Sequence, residues 1–104
     1  MNEPLRCRPP AVATLQVEDE HVRVIRWDFE PGAETGWHRH GMYYVVVPIH
    51  DGKMLIEEPG GATREATITA GVSYQRPFGA EHNVVNNGTT PFSFVETELK
   101  SLQG

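Results

Sequence analysis

Apolar and polar side chains alternate along much of this chain, with the two-residue period of a β-strand. The clearest case lies between positions 20 and 30, where Pro31 and Gly32 end the pattern. One face of this segment carries Arg23, Ile25, Trp27 and Phe29, and the other carries Val22, Val24, Arg26 and Asp28. The pattern predicts a strand with one strongly apolar face.

Further short segments are separated by turn signals such as Asp51-Gly52, Pro59-Gly60-Gly61 and Asn87-Gly88. Residues 42–49 are apolar on both alternations, so we expect this strand to be covered by the barrel interior on one side and by another sheet or subunit on the other, with a bulge or sheet edge at Pro48. The other predicted strands are 53–58, 65–70, 72–76, 81–86 and 91–99. No segment has a helical period, and there is no internal repeat. The sequence therefore predicts one all-β sandwich or barrel.

The length of 104 residues suits a single domain, with a Pro-rich arm over residues 1–10 and one barrel over residues 11–104. No apolar run approaches the roughly 20 residues of a membrane span, and the N-terminus lacks the apolar centre of a signal peptide. The lone Cys7 excludes an intramolecular disulfide. A net charge of −5 with interspersed signs argues against nucleic acid as a partner. We expect a cytoplasmic protein with no membrane partner.

Three histidines form the candidate reactive site. His38 and His40 lie two positions apart, so on an extended segment both imidazoles point to the same face. The strands and turns that follow can fold the chain back and place His82 beside them. Three neutral imidazoles can bind a divalent metal and leave positions open for a reactant, whereas structural zinc sites usually have four ligands rich in cysteine.

The blocks Gly32-x5-His38-x-His40 and Gly71-x5-Pro77-x-Gly79-x2-His82-x3-Asn86 resemble the two motifs of the cupin superfamily. The resemblance implies a double-stranded β-helix, or jelly-roll barrel, with His38, His40 and His82 as metal ligands. In the usual first motif a metal-binding Glu follows, but here that residue is Val45, preceded by Tyr44. Thiol dioxygenases, which are cupin-like, use three histidines on iron, so the departure is compatible with either an active or an inactive site.

Several side chains are candidates for completing the site. Tyr44 could supply a phenolic oxygen, and Arg76 is a better candidate than Arg39 for binding a substrate carboxylate. Some carboxylates could reach inward, although solvation is the simpler expectation for them: Glu34, Glu57, Glu58 and Glu81. Trp37 is expected to pack, Tyr74 and Phe78 to line or fill the barrel mouth, and His21 and His50 to face solvent. Asn86 is expected to fix the backbone.

Residues 11–17 are expected to form an edge strand that a neighbouring copy can use, which predicts a homodimer. The chain also looks like small bacterial single-domain cupins, some of them linked to beta-alanine degradation. That likeness implies a small carboxylate or amino-acid-derived ligand.

Two functions remain open from the sequence. One is a metal-dependent enzyme, oxygenase-like or isomerase- or hydrolase-like, with Fe, Mn, Ni or Zn on the three histidines. The other is a barrel that binds a small molecule without turning it over. The sequence does not decide whether the protein is catalytic.

Overall fold

The fold is all-β, as the alternating pattern predicts. The computed structural model describes residues 8–77 and 79–100. Within these residues the strands are β1 (Val12–Glu18), β2 (Val22–Phe29), β3 (His38–Arg39), β4 (Tyr43–Pro48), β5 (Gly52–Glu57), β6 (Thr63–Ile68), β7 (Tyr74–Arg76), β8 (Glu81–Asn86) and β9 (Phe92–Leu99). A 3-10 turn over Pro59–Gly61 joins β5 to β6. In these ranges there is no helix long and apolar enough to cross a membrane.

The strands form two antiparallel sheets of the predicted jelly-roll type. The larger sheet has the order β1-β2-β9-β4-β7, and the smaller has the order β3-β8-β5-β6. Strand β9 lies between β2 and β4, which precede it by more than forty residues, so distant parts of the sequence are joined in one sheet. The short β3 is paired with β8 and brings the first histidine segment to the edge of the smaller sheet.

The core lies between the two sheets. The larger sheet contributes Phe29, Phe92 and Phe94, whose rings pack with the Phe29 centroid 4.8 Å and 5.4 Å from the other two. The smaller sheet contributes Met54, Ile56, Ile68 and Val84. A Cβ atom on Gly52 would come within 2.7 Å of the Phe92 ring, so the absence of a side chain in the Asp51-Gly52 turn permits this close packing.

Strand β4 has the predicted cover of the barrel interior on one side, and within a single chain its other side is not covered by a second sheet. Its inward residues Tyr44, Val46 and Pro48 are buried, but Tyr43 and Val47 on the outer face are 40% and 39% exposed. The apolar character of both alternations therefore reflects a core on one side and an open face on the other. The carbonyl oxygen of Pro48 accepts a hydrogen bond from the Gly71 amide. Pro48 lies beyond the last residue pair between β4 and β7, so its lack of an N–H removes no hydrogen bond between these two strands.

The predicted edge strand over residues 11–17 is also present, as β1. It pairs with β2 of its own chain and lies at the end of the larger sheet with all its residues exposed. Opposite residues of neighbouring strands share a face, so Val17, Val24, Thr97 and Val45 form one row across four strands of the outer face. This row joins the exposed positions of β4 and β1 into one apolar surface.

Asn86 fixes the backbone around it, as predicted. Its side chain is fully buried, with Nδ2 donating to the carbonyl oxygens of Thr90 (3.0 Å) and Phe29 (3.3 Å), while Oδ1 accepts from the Gly88 amide (3.0 Å). Its main chain also bonds to Gly32 and Ala33. One residue therefore connects the ends of β2, β8 and the turn that leads to β9.

We predict that Asn86→Ala lowers the free energy of unfolding by about 2–4 kcal/mol, because buried backbone groups lose their partners. Urea unfolding measures the change. The matched control is Asn87→Ala, which removes only an exposed contact with Glu65. Equal stability of the two variants would show that Asn86 has no such role.

We also predict a homodimer in which the outer face of the larger sheet packs against the same face of a second copy. A largely uncharged row of side chains is self-complementary about a two-fold axis, and its burial removes apolar surface from water. Light scattering is expected to give twice the 11.6 kDa of one chain. Val47→Lys is expected to shift the protein toward monomer, whereas Thr63→Lys on the other sheet is not. A wild-type mass of one chain would contradict the prediction.

Candidate metal centre

The structure brings the three predicted histidines together. His38 lies directly opposite His82 in the pairing of β3 with β8, and His40 follows two residues later. The ring centroid of His38 lies 4.6 Å from that of His40 and 4.7 Å from that of His82, and the last two are 5.2 Å apart. One ring nitrogen from each side chain lies within 4.8 Å of the others. This is a spacing at which one ion could contact all three.

The turn before β8 holds the backbone of this cluster. The His40 amide donates to Ala80 O, and the Gly79 amide donates to His40 O, each at 2.8 Å. Gly79 has a φ of +88°, a left-handed conformation that favours glycine. The Pro77-x-Gly79 part of the second motif therefore positions His40 as well as introducing the strand that carries His82.

Asn83 fixes the segment that precedes His38, a role the sequence reasoning missed. Its Oδ1 accepts from the Gly36 amide at 2.9 Å, and its Nδ2 donates to Glu34 (2.8 Å) and Glu57 (2.9 Å). In the sequence, only the position of Asn83 directly after His82 pointed to this role. The segment is thus tied to the strand that bears the third histidine.

The tautomer of His38 follows from its contacts. Its Nδ1 lies 2.8 Å from the carbonyl oxygen of Gly36, which can only accept, so Nδ1 carries the proton. The lone pair is then on Nε2. A backbone carbonyl that fixes the tautomer in this way is a common support for a metal-binding histidine.

His40 and His82 are buried and held neutral. Burial lowers the pKa of His40 to about 3, with a further contribution from His38 and His82. Burial also lowers the pKa of His82 to about 4. Both rings are therefore uncharged near neutral pH, which is the form that binds metal ions.

The position of the usual motif Glu carries no cavity-facing carboxylate. Val45 is on the outer face of β4, and Tyr44 takes the inward position, where its ring stacks on His40 with centroids 3.9 Å apart. Burial raises the pKa of the Tyr44 hydroxyl well above its usual range, so this hydroxyl is protonated near neutral pH. Tyr44 is thus available as a hydrogen-bond donor beside the histidines.

The other carboxylates considered in the sequence are engaged away from the cavity. Glu34 and Glu57 pair with Arg8 and Asn83, and Glu58 pairs with Arg64. Glu81 accepts from the indole N–H of Trp37 at 2.9 Å. Trp37 does not line the cavity, in keeping with the expectation that it points away from His38, but it is half exposed instead of fully packed. Its position before His38 turns it outward to solvent.

Two buried carboxylates were missed: Glu96 and Glu98. They continue the inward face of β9 that begins with Phe92 and Phe94, so the same alternation could have identified them. Burial and the neighbouring Glu98 raise the pKa of Glu96 to about 7, against a smaller opposing effect of the Trp27 side chain. Glu96 lines the cavity and supplies the acidic group that the sequence seemed to lack.

The histidines lie in the wall of a cavity of about 330 Å³. Such a volume suits a small molecule. Its apolar lining includes Val46, Met54, Ile56, Ile68, Val84 and Phe94, and its polar lining includes Tyr44, Tyr74, Arg64, Arg76 and Glu96. The predicted inward position of Tyr74 is therefore confirmed, while Phe78 lies outside the described residues. His21, Arg39 and His50 are exposed, as expected.

Arg76 is placed opposite Tyr44 in the pairing of β4 with β7. Among the residues that the structure describes, no carboxylate forms an ion pair with Arg76. Arg64, by contrast, is paired with Glu58 at 3.0 Å. The cavity therefore contains, close to Tyr44 and the histidine cluster, a guanidinium that has no ion-pair partner within residues 8–77 and 79–100.

This barrel with histidines in its interior is the architecture of a cupin, and the chain belongs to the cupin family: residues 25–98 match the Cupin domain. The chain is 54% identical to the beta-alanine degradation protein BauB of Pseudomonas aeruginosa over 93 residues, or 89% of this chain and 97% of the relative. A cupin domain from Bordetella pertussis has a TM-score of 0.88 and 52% identity, covering 92% of this chain and 99% of that one. A double-stranded β-helix protein from Klebsiella pneumoniae, at 22% identity, has a TM-score of 0.73 over 96% and 85% of the two chains and shares the fold.

Proposed function

We propose that this cupin is a metal-dependent enzyme that acts on a small carboxylate or amino-acid-derived compound. The observation that carries the proposal is the convergence of three imidazoles, two of them buried and uncharged, in the wall of one cavity. Neutral nitrogen donors suit Fe(II), Mn(II), Ni(II) or Zn(II). His38, His40 and His82 would hold the ion, and its open positions would supply Lewis-acid or oxygen chemistry to a bound reactant.

The donor set fits such an ion. His38 has its proton on Nδ1, which leaves Nε2 as the ligand atom, and the low pKa values of His40 and His82 mean that protons do not compete for their lone pairs near neutral pH. Since the three ligands carry no charge, the ion keeps its full positive charge. An anionic reactant is therefore favoured at the open positions.

The rest of the cavity supports an anionic substrate. The guanidinium of Arg76 offers a fixed pair of donors that matches a carboxylate, and it has no ion-pair partner among the described residues. Tyr44 adds a hydroxyl donor beside His40. The relative BauB is named for beta-alanine degradation. Beta-alanine and compounds derived from it are carboxylates small enough for a cavity of this volume.

We predict about one metal ion per chain in protein purified without chelator or added metal, and its loss in His82→Ala. Removal of one of three ligands leaves two imidazoles, which hold a divalent ion much more weakly. Elemental analysis measures both proteins, and His50→Ala, which removes an exposed histidine outside the cluster, is the control. If wild-type protein binds no metal even after anaerobic incubation with Fe(II), the metalloenzyme is excluded and a non-catalytic binding barrel remains.

The role of Arg76 has a separate test. Arg76→Met is expected to weaken binding of propionate or beta-alanine about 10- to 100-fold, because a charge-assisted pair is lost. Isothermal titration calorimetry measures the affinity, and propanamide, which lacks the carboxylate, is expected to bind both proteins alike. Arg26→Met, which removes a guanidinium paired with Asp28 on the outer face, is the control. An unchanged affinity for propionate in Arg76→Met would remove Arg76 from substrate recognition.

A further inference from the structure

The Nδ1 edge of His40 faces two buried carboxylates. Its Nδ1 lies 3.6 Å from Glu98 Oε2 and 3.7 Å from Glu96 Oε2. Both glutamates are more than nine-tenths buried. Because this edge of the imidazole faces acceptors, Nε2 is the nitrogen that remains for a ligand in the cavity.

Strand β9 holds these carboxylates rigidly. It is hydrogen-bonded to β2 on one side and to β4 on the other, and Glu96 lies opposite Val46 while Glu98 lies opposite Tyr44. Tyr44 in turn stacks on the His40 ring. The glutamates therefore reach His40 from the larger sheet, whereas the three histidines are associated with the smaller one.

Such a pair is unfavourable unless positive charge lies near. Removing a carboxylate from water is unfavourable, and two adjacent carboxylates repel each other. The guanidinium of Arg23 is 3.7 Å from Glu98 Oε1, and within the described ranges that oxygen has no hydrogen-bond partner. A divalent ion on the far side of the His40 ring would supply the missing positive charge through the imidazole.

We propose that Glu96 and Glu98 are positioning residues for His40. They keep the proton on Nδ1, fix the ring, and present Nε2 to the metal, so that β9 supplies the negative charge that Val45 lacks. A carboxylate that accepts from a metal-binding histidine orients the ring and raises its basicity. A movement of about 0.6 Å brings either oxygen within hydrogen-bond distance of Nδ1. The proposal rests on the metal site proposed above.

The test uses the variant Glu96→Met/Glu98→Met, which removes both charges and both acceptors at similar volume. Replacement of buried charges by apolar groups is often neutral or stabilising, so the variant is expected to fold with an unchanged or higher Tm. Two measurements follow. Nitrogen-15 NMR of the metal-free protein reports the tautomer of His40, and titration with Co(II) reports the affinity.

We expect wild-type His40 to be the Nδ1–H tautomer and the variant to be a mixture, with a Kd for Co(II) about 10- to 100-fold higher. Glu65→Met, which removes an exposed carboxylate from β6, is expected to stay within about twofold of wild type. A purely structural role for the glutamates would instead lower Tm and leave both the tautomer and the Kd unchanged. The single variants Glu96→Met and Glu98→Met give the same readouts if the double variant does not fold.

The possible outcomes distinguish a failure of the positioning role from a failure of the proposed metal site. If wild type and the double variant bind Co(II) equally and both keep the Nδ1–H tautomer, the positioning role is overturned and the metal site stands. If wild type binds no Co(II) but the tautomer changes in the variant, the positioning of His40 is supported and the metal function is overturned.

Discussion

The site depends on the pairing of a two-residue strand with its neighbour. Strand β3 is too short to be stable by itself, and its place is set by the pairing that puts His38 opposite His82. Strand β8 is in turn paired with β5, and Asn86 at its end bonds to the chain around Phe29 and Thr90. Asn83 ties the segment before His38 to the same strand. The positions of the three imidazoles are therefore set by β8, and the turn at Gly79 fixes His40 through backbone hydrogen bonds.

The electrostatics of the cavity divide between the two sheets. The smaller sheet and its edge supply uncharged imidazoles, while the larger sheet supplies Glu96 and Glu98 from β9 and Arg76 from β7. Burial disfavours every charged form, which is why the pKa of His40 falls while that of Glu96 rises. Burial thus leaves the imidazole of His40 uncharged and raises the pKa of Glu96 to about 7, so both forms of this carboxyl are populated near neutral pH. Under the proposed function, a metal ion at the histidines would favour the charged form of the carboxyl.

Much of the fold could be predicted because the alternation and the turn residues are local signals. The strands follow from the alternation, the meeting of His38, His40 and His82 follows from the spacing of the two blocks, and the jelly roll is what the resemblance to cupins implies. Glu96 and Glu98 were missed because charged residues at the end of an apolar run indicate solvent in a single sequence, although they keep the inward phase of Phe92 and Phe94. The outer face of β4 was expected to lie against another sheet or a subunit, and valines on both alternations do not reveal which of the two; within one chain no second sheet covers this face. Both points concern tertiary surroundings, which no local pattern contains.

The absence of a carboxylate at position 45 bears on the proposed chemistry. A carboxylate bound directly to a metal ion would offset part of its charge, whereas carboxylates behind His40 would act on the ion only through the imidazole. Under the proposed function, an ion held by His38, His40 and His82 would supply Lewis-acid chemistry to a small reactant, and Arg76 would bind the reactant's carboxylate. The wall formed by Met54, Ile56 and Val84 is apolar, and an apolar surrounding strengthens polar contacts made beside it. Under the two proposals, negative charge that lies behind His40 instead of at position 45 would leave the cavity side of the histidine cluster to an anionic reactant.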